Sequence, residues 1–440
     1  MNPVAFIETK RDGKENDLSD IRELVDLVTK GDVADYQVAA WLMAVYFNGL
    51  SGEECRIFTE SLARSGKMVR FPDNLSPVDK HSTGGVGDKT TLIVVPLAAA
   101  CGVPVAKLSG RGLGFTGGTI DKLESIPGFR AHLDMRDFIA QVRSTGCAIS
   151  GHSGDLAPAE AIFYELRDVT GTVPSIPLIT SSIVSKKIAG GSSSFVFDVK
   201  CGSGAFMEDQ RSAIELAESL VDLSASMGRG SMALITDMSQ PLGMWVGNAA
   251  EVAEAVDLLL GRGPDDLREL SLRLTASMVH LGRPFISLDK ALSLAERSLD
   301  EGKGYRKFEE MVRSQGGDLD RFQEKVSRRE HLSRTVREIY AAESGVLTRC
   351  DARRVGDAVR LLGGGRLSKK DAVDHGVSCQ ILRKIGDAVS AGEPLARVYF
   401  SGEGVRWEEA RAGLVRAFEV GEGAKPPKLL LGSVGPREGD

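Results

Sequence analysis

Tryptophan is nearly absent from this chain, 3 in 440 residues, and cysteine is sparse at 6. The six thiols (Cys55, Cys101, Cys147, Cys201, Cys350 and Cys379) are widely spaced, and none lies in a CxxC. That usage excludes a disulfide framework and fits buried thiols in a reducing compartment, so a cytoplasmic location is expected. The six histidines show no HxxxH spacing, and no metal site is expected from them. Positive charge is not in excess, with 55 Lys and Arg against 61 Asp and Glu. A chain without a basic surplus has little with which to displace counterions, so no nucleic-acid partner is expected. Long apolar runs are missing too. The most apolar window, Leu92 to Cys101, is broken by Pro96 and is far shorter than the roughly 20 residues of a membrane span. The N-terminus has no basic segment followed by an apolar stretch, so neither a signal peptide nor a membrane partner is expected.

What the chain has is glycine: 50 residues, about 11% against an average near 7%. No Gly-X-Y period accompanies it, and 42% hydrophobic residues are enough for a sizeable core. The length sets a prior of two to three domains. Residues 18–65 read as helices, with Val38, Leu42, Val45 and Tyr46 at helical spacing and a capping box at Ser51–Glu54. Between Val78 and Gly128, apolar runs alternate with glycine loops, as in an α/β domain. Leu156–Leu166 and Leu178–Ile188 again read as helices, followed by strand-like runs at Phe195–Val199 and Met232–Thr236. Residues 264–342 read as charged and mostly helical. From Gly345 the chain becomes β-rich, and Gly386–Leu395 resembles the turn of a lipoyl- or biotinyl-type hammerhead, without an exposed lysine to carry an acyl group. The tail from Gly423 is expected to be loosely ordered.

Two glycine stretches carry the chemistry. The first, Asp79-Lys-His-Ser-Thr-Gly-Gly-Val-Gly-Asp-Lys-Thr-Thr91, runs into an apolar helix. Glycines let backbone N–H groups converge, hydroxyls add donors and the helix start adds positive partial charge, which together suit an anion. It is not a P-loop, because Asp88 and not glycine precedes Lys89. The second, Lys107 to Glu124, contains a literal GxGxxG at Gly112, Gly114 and Gly117. A dinucleotide-dependent oxidoreductase is therefore the rival reading, and Asp134 the acidic residue nearest the required distance. A non-catalytic nucleotide-binding protein is a third possibility.

The stretch Ser109-Gly-Arg-Gly-Leu-Gly-Phe-Thr-Gly-Gly-Thr-Ile-Asp-Lys-Leu-Glu124 resembles the signature of the thymidine and pyrimidine-nucleoside phosphorylases. Val78–Asp88, Leu166–Thr172 with Ser181–Lys187, and Asp198–Phe206 resemble further motifs of that family, in order along essentially the whole chain. The resemblance implies an α/β fold: a small helical domain (1–65 and 156–193), a larger mixed-sheet α/β domain (66–155 and 194–342) and a C-terminal α+β, hammerhead-like domain (343–440). It implies a homodimer that catalyses reversible phosphorolysis of thymidine, uridine or deoxyuridine to free base and pentose 1-phosphate; strict thymidine specificity is the alternative. No cofactor is implied, inorganic phosphate being the co-substrate.

By the same resemblance, Lys80, Ser82, Thr91, Lys107, Ser109 and Thr119 would hold phosphate. Arg167, Ser182 and Lys186, with His81, would bind the pyrimidine. His81 would donate to the 2-carbonyl oxygen of the departing base, Arg167 and Lys186 would stabilise its negative charge, and Ser182 would orient the ring. Phosphate and base would sit on different domains, with hinges near Gly154 and at Gly190-Gly191. The chain departs from the family at two points. Lys89 stands where cation-binding members have threonine, so its ammonium is expected to replace a monovalent cation by pairing with Glu254, near the carbonyls of Leu242 and Trp245. Phe115 stands where histidine is common, which bears on substrate selectivity.

Overall fold

The structure, a computed structural model, describes residues 1–112, 114–368, 370–402 and 406–435. It opens on α1 (Pro3–Arg11), α2 (Leu18–Lys30), α3 (Asp35–Asn48) and α4 (Gly52–Arg64). Three of these start on a side-chain cap: Asn2, Asp17, and the Ser51–Glu54 capping box. Glu54 does more than cap. Buried, it also takes the Lys10 ammonium at 2.8 Å and the Asn16 N–H at 2.7 Å, which ties α1 to α4.

The chain then enters a parallel sheet through β1 (Val78–Ser82), α5 (Thr90–Ala100), β2 (Val105–Ser109), α6 (Thr119–Leu123), α7 (Met135–Thr145) and β3 (Cys147–Gly151). It leaves for α8 (Pro158–Thr170) and α9 (Ile176–Ala189), where Ala159, Phe163 and Leu178 join Trp41, Phe58 and Leu62 in one core. It returns as β4 (Ser194–Cys201), α10 (Gln210–Ser226) and β5 (Gly230–Asp237). The three crossings between helical and α/β parts lie side by side: Lys67 N–H donates to Asp155 O, and Val69 N–H to Ala189 O, both at 2.8 Å.

Next come β6 (Trp245–Gly247), α11 (Asn248–Leu259), α12 (Asp265–Gly282), α13 (Leu288–Asp300), α14 (Lys303–Ser314) and α15 (Leu319–Ser327). The C-terminal part holds β7 (Thr335–Tyr340), β8 (Gly345–Cys350), α16 (Ala352–Val359), β9 (Ser378–Ile381), β10 (Ala388–Val389), β11 (Pro394–Phe400), α17 (Trp407–Val415), β12 (Phe418–Gly421) and β13 (Leu430–Val434). Two features differ from the sequence expectation. β7, inside the stretch read as helical, pairs with β11 at the edge of a four-stranded sheet, and its Val336 and Tyr340 are exposed. The tail read as loose instead supplies β13, which pairs antiparallel with β5.

The main sheet thus has the order β13-β5-β4-β1-β2-β3 and is mixed, with β1 to β5 parallel. The order reverses at β1, which has β2 on one side and β4 on the other. In such sheets the crevice beyond the carboxyl ends of the strands at the reversal point is where ligands bind. Among the described residues, no helix is long and apolar enough to cross a membrane.

Candidate active site

A cleft of about 580 Å³ opens at that crevice, between the carboxyl ends of β1 and β2 and the helices α8 and α9. The register sets its floor: Ser82 lies opposite Asp198, and Ser109 opposite Gly151. Of the residues singled out in the sequence, His81, Ser82, Thr91, Lys107, Ser109, Thr119, Arg167, Ser182 and Lys186 all line it. Thr91, Ser109 and Thr119 make no hydroxyl hydrogen bond to any described residue, so three donors face the cleft uncommitted. The second glycine loop can fold tightly enough to present Thr119 because a Cβ at Gly118 would sit 2.1 Å from the Gly112 nitrogen.

Lys80 is the exception. Lys80 is fully buried behind the cleft, donating to Thr90 Oγ1 at 2.8 Å and lying 3.1 Å from Asp198. Ser82 is also partly committed, donating to Asp88 at 2.6 Å. Asp88 is the charge hub: against the upward push of burial, Lys200, Lys80 and Lys122 hold its carboxyl well below the usual range. Lys80, Lys107, Lys187 and Lys200 lie buried together with Asp79, Asp88 and Asp198, which leaves positive charge in excess under the cleft floor. Lys107 registers it. Burial and the neighbouring Lys187 push its pKa well down, and an arriving anion would relieve that repulsion.

The opposite wall is built on α8 and α9. Glu160, Tyr164 and Arg167 fall four and three residues apart on α8, and Ser182 and Lys186 four apart on α9, so each set shares a face. Glu160, which the sequence reading missed, is buried and joins the two helices. It accepts from the Ser182 hydroxyl and from Lys186 Nζ, the latter at 2.7 Å, and Lys186 also donates to Ser182 Oγ at 3.0 Å. The Tyr164 ring lies 5.4 Å from the Lys186 ammonium and 6.0 Å from the Arg167 guanidinium. Arg167 is anchored by the carbonyls of Leu178 and Val173. His152, also missed, faces the cleft from the loop after β3.

Burial and then the nearby lysines Lys187, Lys107 and Lys186 hold His81 well below its ordinary pKa. The same causes act on His152. His81 is therefore neutral at pH 7, and it reaches a ligand as an N–H donor and not as an imidazolium. In kcat/KM, which reports groups of the free enzyme and the free substrates, a limb near neutral pH is expected from the second ionisation of phosphate and none from His81. A limb there that disappears in His81→Ala would contradict this.

The two departures differ in their surroundings. Lys89 is fully buried, and its ammonium donates to Leu242 O at 3.0 Å, to Trp245 O at 2.8 Å and to the Glu254 carboxylate. Phe115 is not among the lining residues; its ring packs 5.7 Å from that of Phe206, which is. The dinucleotide reading finds no support in the loop. Gly112 N–H is taken by Asp121 at 2.7 Å, and Asp134 caps α7 and closes no strand.

Three family models match most of the chain. Residues 4–66 match the glycosyl transferase family helical bundle domain, and residues 74–305 its α/β domain. Residues 346–420 match the pyrimidine nucleoside phosphorylase C-terminal domain. The chain belongs to the pyrimidine-nucleoside phosphorylase family of these transferases. It is 45% identical to the pyrimidine-nucleoside phosphorylase of Bacillus subtilis (strain 168) over 98% of this chain and 99% of that one. It is 45% identical to that of Geobacillus stearothermophilus over 92% and 93%. The fold is also shared with anthranilate phosphoribosyltransferase from Thermus thermophilus, with a TM-score of 0.59 and 17% identity over 72% of this chain and 99% of the other.

Proposed function

We propose that the protein catalyses the reversible phosphorolysis of pyrimidine nucleosides, with phosphate held by Thr91, Ser109, Thr119 and Lys107 and the base by Arg167, Ser182, Lys186 and His81. The observation that carries it is the pairing of three uncommitted hydroxyls over excess buried positive charge with a donor-rich wall across one cleft. Phosphate attacks the anomeric carbon on the face opposite the base. As the glycosidic bond breaks, its electrons pass into the pyrimidine. Lys186 and Arg167 stabilise that charge, and neutral His81 donates a hydrogen bond to the 2-carbonyl oxygen. Because the two half-sites sit on different parts, turning about the side-by-side crossings near Gly154 and Gly190-Gly191 brings them together. The decisive experiment is incubation with thymidine, uridine, cytidine and purine nucleosides, with and without phosphate. Base release only with phosphate is expected; release without it, or none, would sink the reading.

Glu160 supports a finer preference. A serine hydroxyl has one proton, and that of Ser182 goes to Glu160. With Lys186 also donating to it, Ser182 has only an acceptor left, which suits the N3–H of uracil or thymine and opposes the bare N3 of cytosine. Uridine and thymidine are therefore expected to be cleaved in preference to cytidine, read as the ratio of their kcat/KM values.

The Lys89 ammonium stands in for a monovalent cation, so activity is expected without added potassium. A homodimer is supported by α3, which buries Val38, Trp41, Leu42 and Val45 on one face yet leaves Tyr36 and Phe47 77% and 76% exposed on the rest. A helix apolar all round needs a second cover. Tyr36→Asp with Phe47→Asp is expected to sediment as a monomer at concentrations where the parent is a dimer.

A further inference from the structure

No described residue of the C-terminal part lines the cleft, yet one of its helices grips both loops that wall it. Arg353, on the first turn of α16, donates to Ser203 O at 3.0 Å, to Ala205 O at 3.2 Å and to Glu208 at 2.9 Å. The same guanidinium lies 4.7 Å from the centroid of the Phe115 ring. One side chain therefore joins the 112–118 loop to the 202–208 loop. Between them the Phe115 and Phe206 rings are in contact, and a Cβ added at the cleft-lining Gly84 would stand 3.3 Å from both the Phe206 ring and the Thr116 methyl.

The backbones are fitted to the same helix. A Cβ at Gly356 would stand 2.5 Å from Phe115 O, and one at Gly204 would stand 2.5 Å from the Ala352 Cβ. Positions 352, 353 and 356 share one face of α16. This face touches the two loops at points chosen for close approach, and only Arg353 supplies charge. Arginine suits the place: its planar fork reaches two carbonyls and a carboxylate while its face stacks on an aromatic ring.

We infer that Arg353 is a positioning residue for the nucleoside cleft, through which the C-terminal domain holds the two cleft loops in register. This rests on the phosphorolysis reading only for its kinetic test. Arg353 touches no reacting group, so its loss acts on cleft assembly. Phe206 and Met207 of one loop line the cleft, so nucleoside binding should suffer; the phosphate contact of Thr119, which follows the other loop, should weaken less, and those on β2 and α5 should not change.

The experiment compares Arg353→Met, Arg353→Lys, Phe115→Ala and the Arg353→Met/Phe115→Ala double variant with the parent. Arg354→Met is the control, since Arg354 lies on the same helix and makes no hydrogen bond or ion pair with a described residue of either loop, its partner being Asp351. Arg353→Met is expected to raise KM for the nucleoside about tenfold, the equivalent of one cation–π contact and its flanking bonds, with a smaller rise in KM for phosphate through Thr119. Arg353→Lys should fall between, and the double variant should be no worse than the more affected single one. Hydrogen exchange read separately should quicken in both loops in Arg353→Met and in neither for Arg354→Met. Parent-like KM values, additive single effects, or unchanged exchange in the two loops would each overturn the inference. A parent enzyme that releases no base would overturn the phosphorolysis reading instead and leave the exchange result to decide this one.

Discussion

Replacing Lys186 by methionine is expected to lower kcat by about 10²–10³-fold, the scale on which removal of one donor to a developing anion acts. The pyrimidine leaves as an anion, and Lys186 is the ammonium beside it that is three-quarters buried and flexible enough to follow it. In the free protein this charge is already engaged by Glu160, so the lysine is held at its post without being neutralised by solvent. The substitution leaves Glu160 with Ser182 as its remaining partner, and Ser182 alone cannot balance a buried carboxylate. KM for phosphate should stay near the parent value, because Lys186 and the phosphate hydroxyls sit on opposite walls. Steady-state kinetics with each substrate varied in turn checks both halves; an equal rise in both KM values with kcat unchanged would remove Lys186 from the chemistry.

Substituting Lys89 should instead be felt as loss of stability. Lys89→Met leaves the Glu254 carboxylate, 6% exposed, and two carbonyls facing each other without a cation. Breaking a buried pair from one side costs about 3–5 kcal/mol. Lys89→Thr is the more informative variant, since it empties the volume of the side chain without filling it. Its thermal midpoint and activity should fall in sodium-free, potassium-free buffer and recover with potassium chloride. The parent should respond to neither ion. A parent that needs potassium, or a Lys89→Thr variant indifferent to it, would show that the ammonium is not standing in for an ion.

How much of this was legible beforehand depended on how local the determinant was. The glycine loops announce themselves because Gly112, Gly114, Gly117 and Gly118 fall within seven residues and their requirement is steric. Lys89 and Glu254, 165 positions apart, were matched only through the resemblance. Lys80 was grouped with the phosphate residues because a motif does not show that its ammonium is engaged by Thr90 and Asp198 behind the cleft. Glu160 and Tyr164 recur at helical spacing with Arg167, which the resemblance had named, and could have been found by asking why one helix carries such a polar stripe. β7 hid among charges because an exposed edge strand need not look apolar. β13 hid because its five residues take their meaning from a partner about two hundred positions earlier.

That last pairing orders the protein's assembly in time. During synthesis β5 can join β4 early, but its other edge stays open until residues 430–434 exist. The waiting strand contains Met232, Ala233, Leu234 and Ile235, all buried in the finished fold. An unpaired apolar edge of this kind invites pairing with another chain. A nascent protein halted anywhere in the C-terminal domain would therefore carry an aggregation hazard at the edge of a sheet that is otherwise complete, and β13 acts as the seal that removes it.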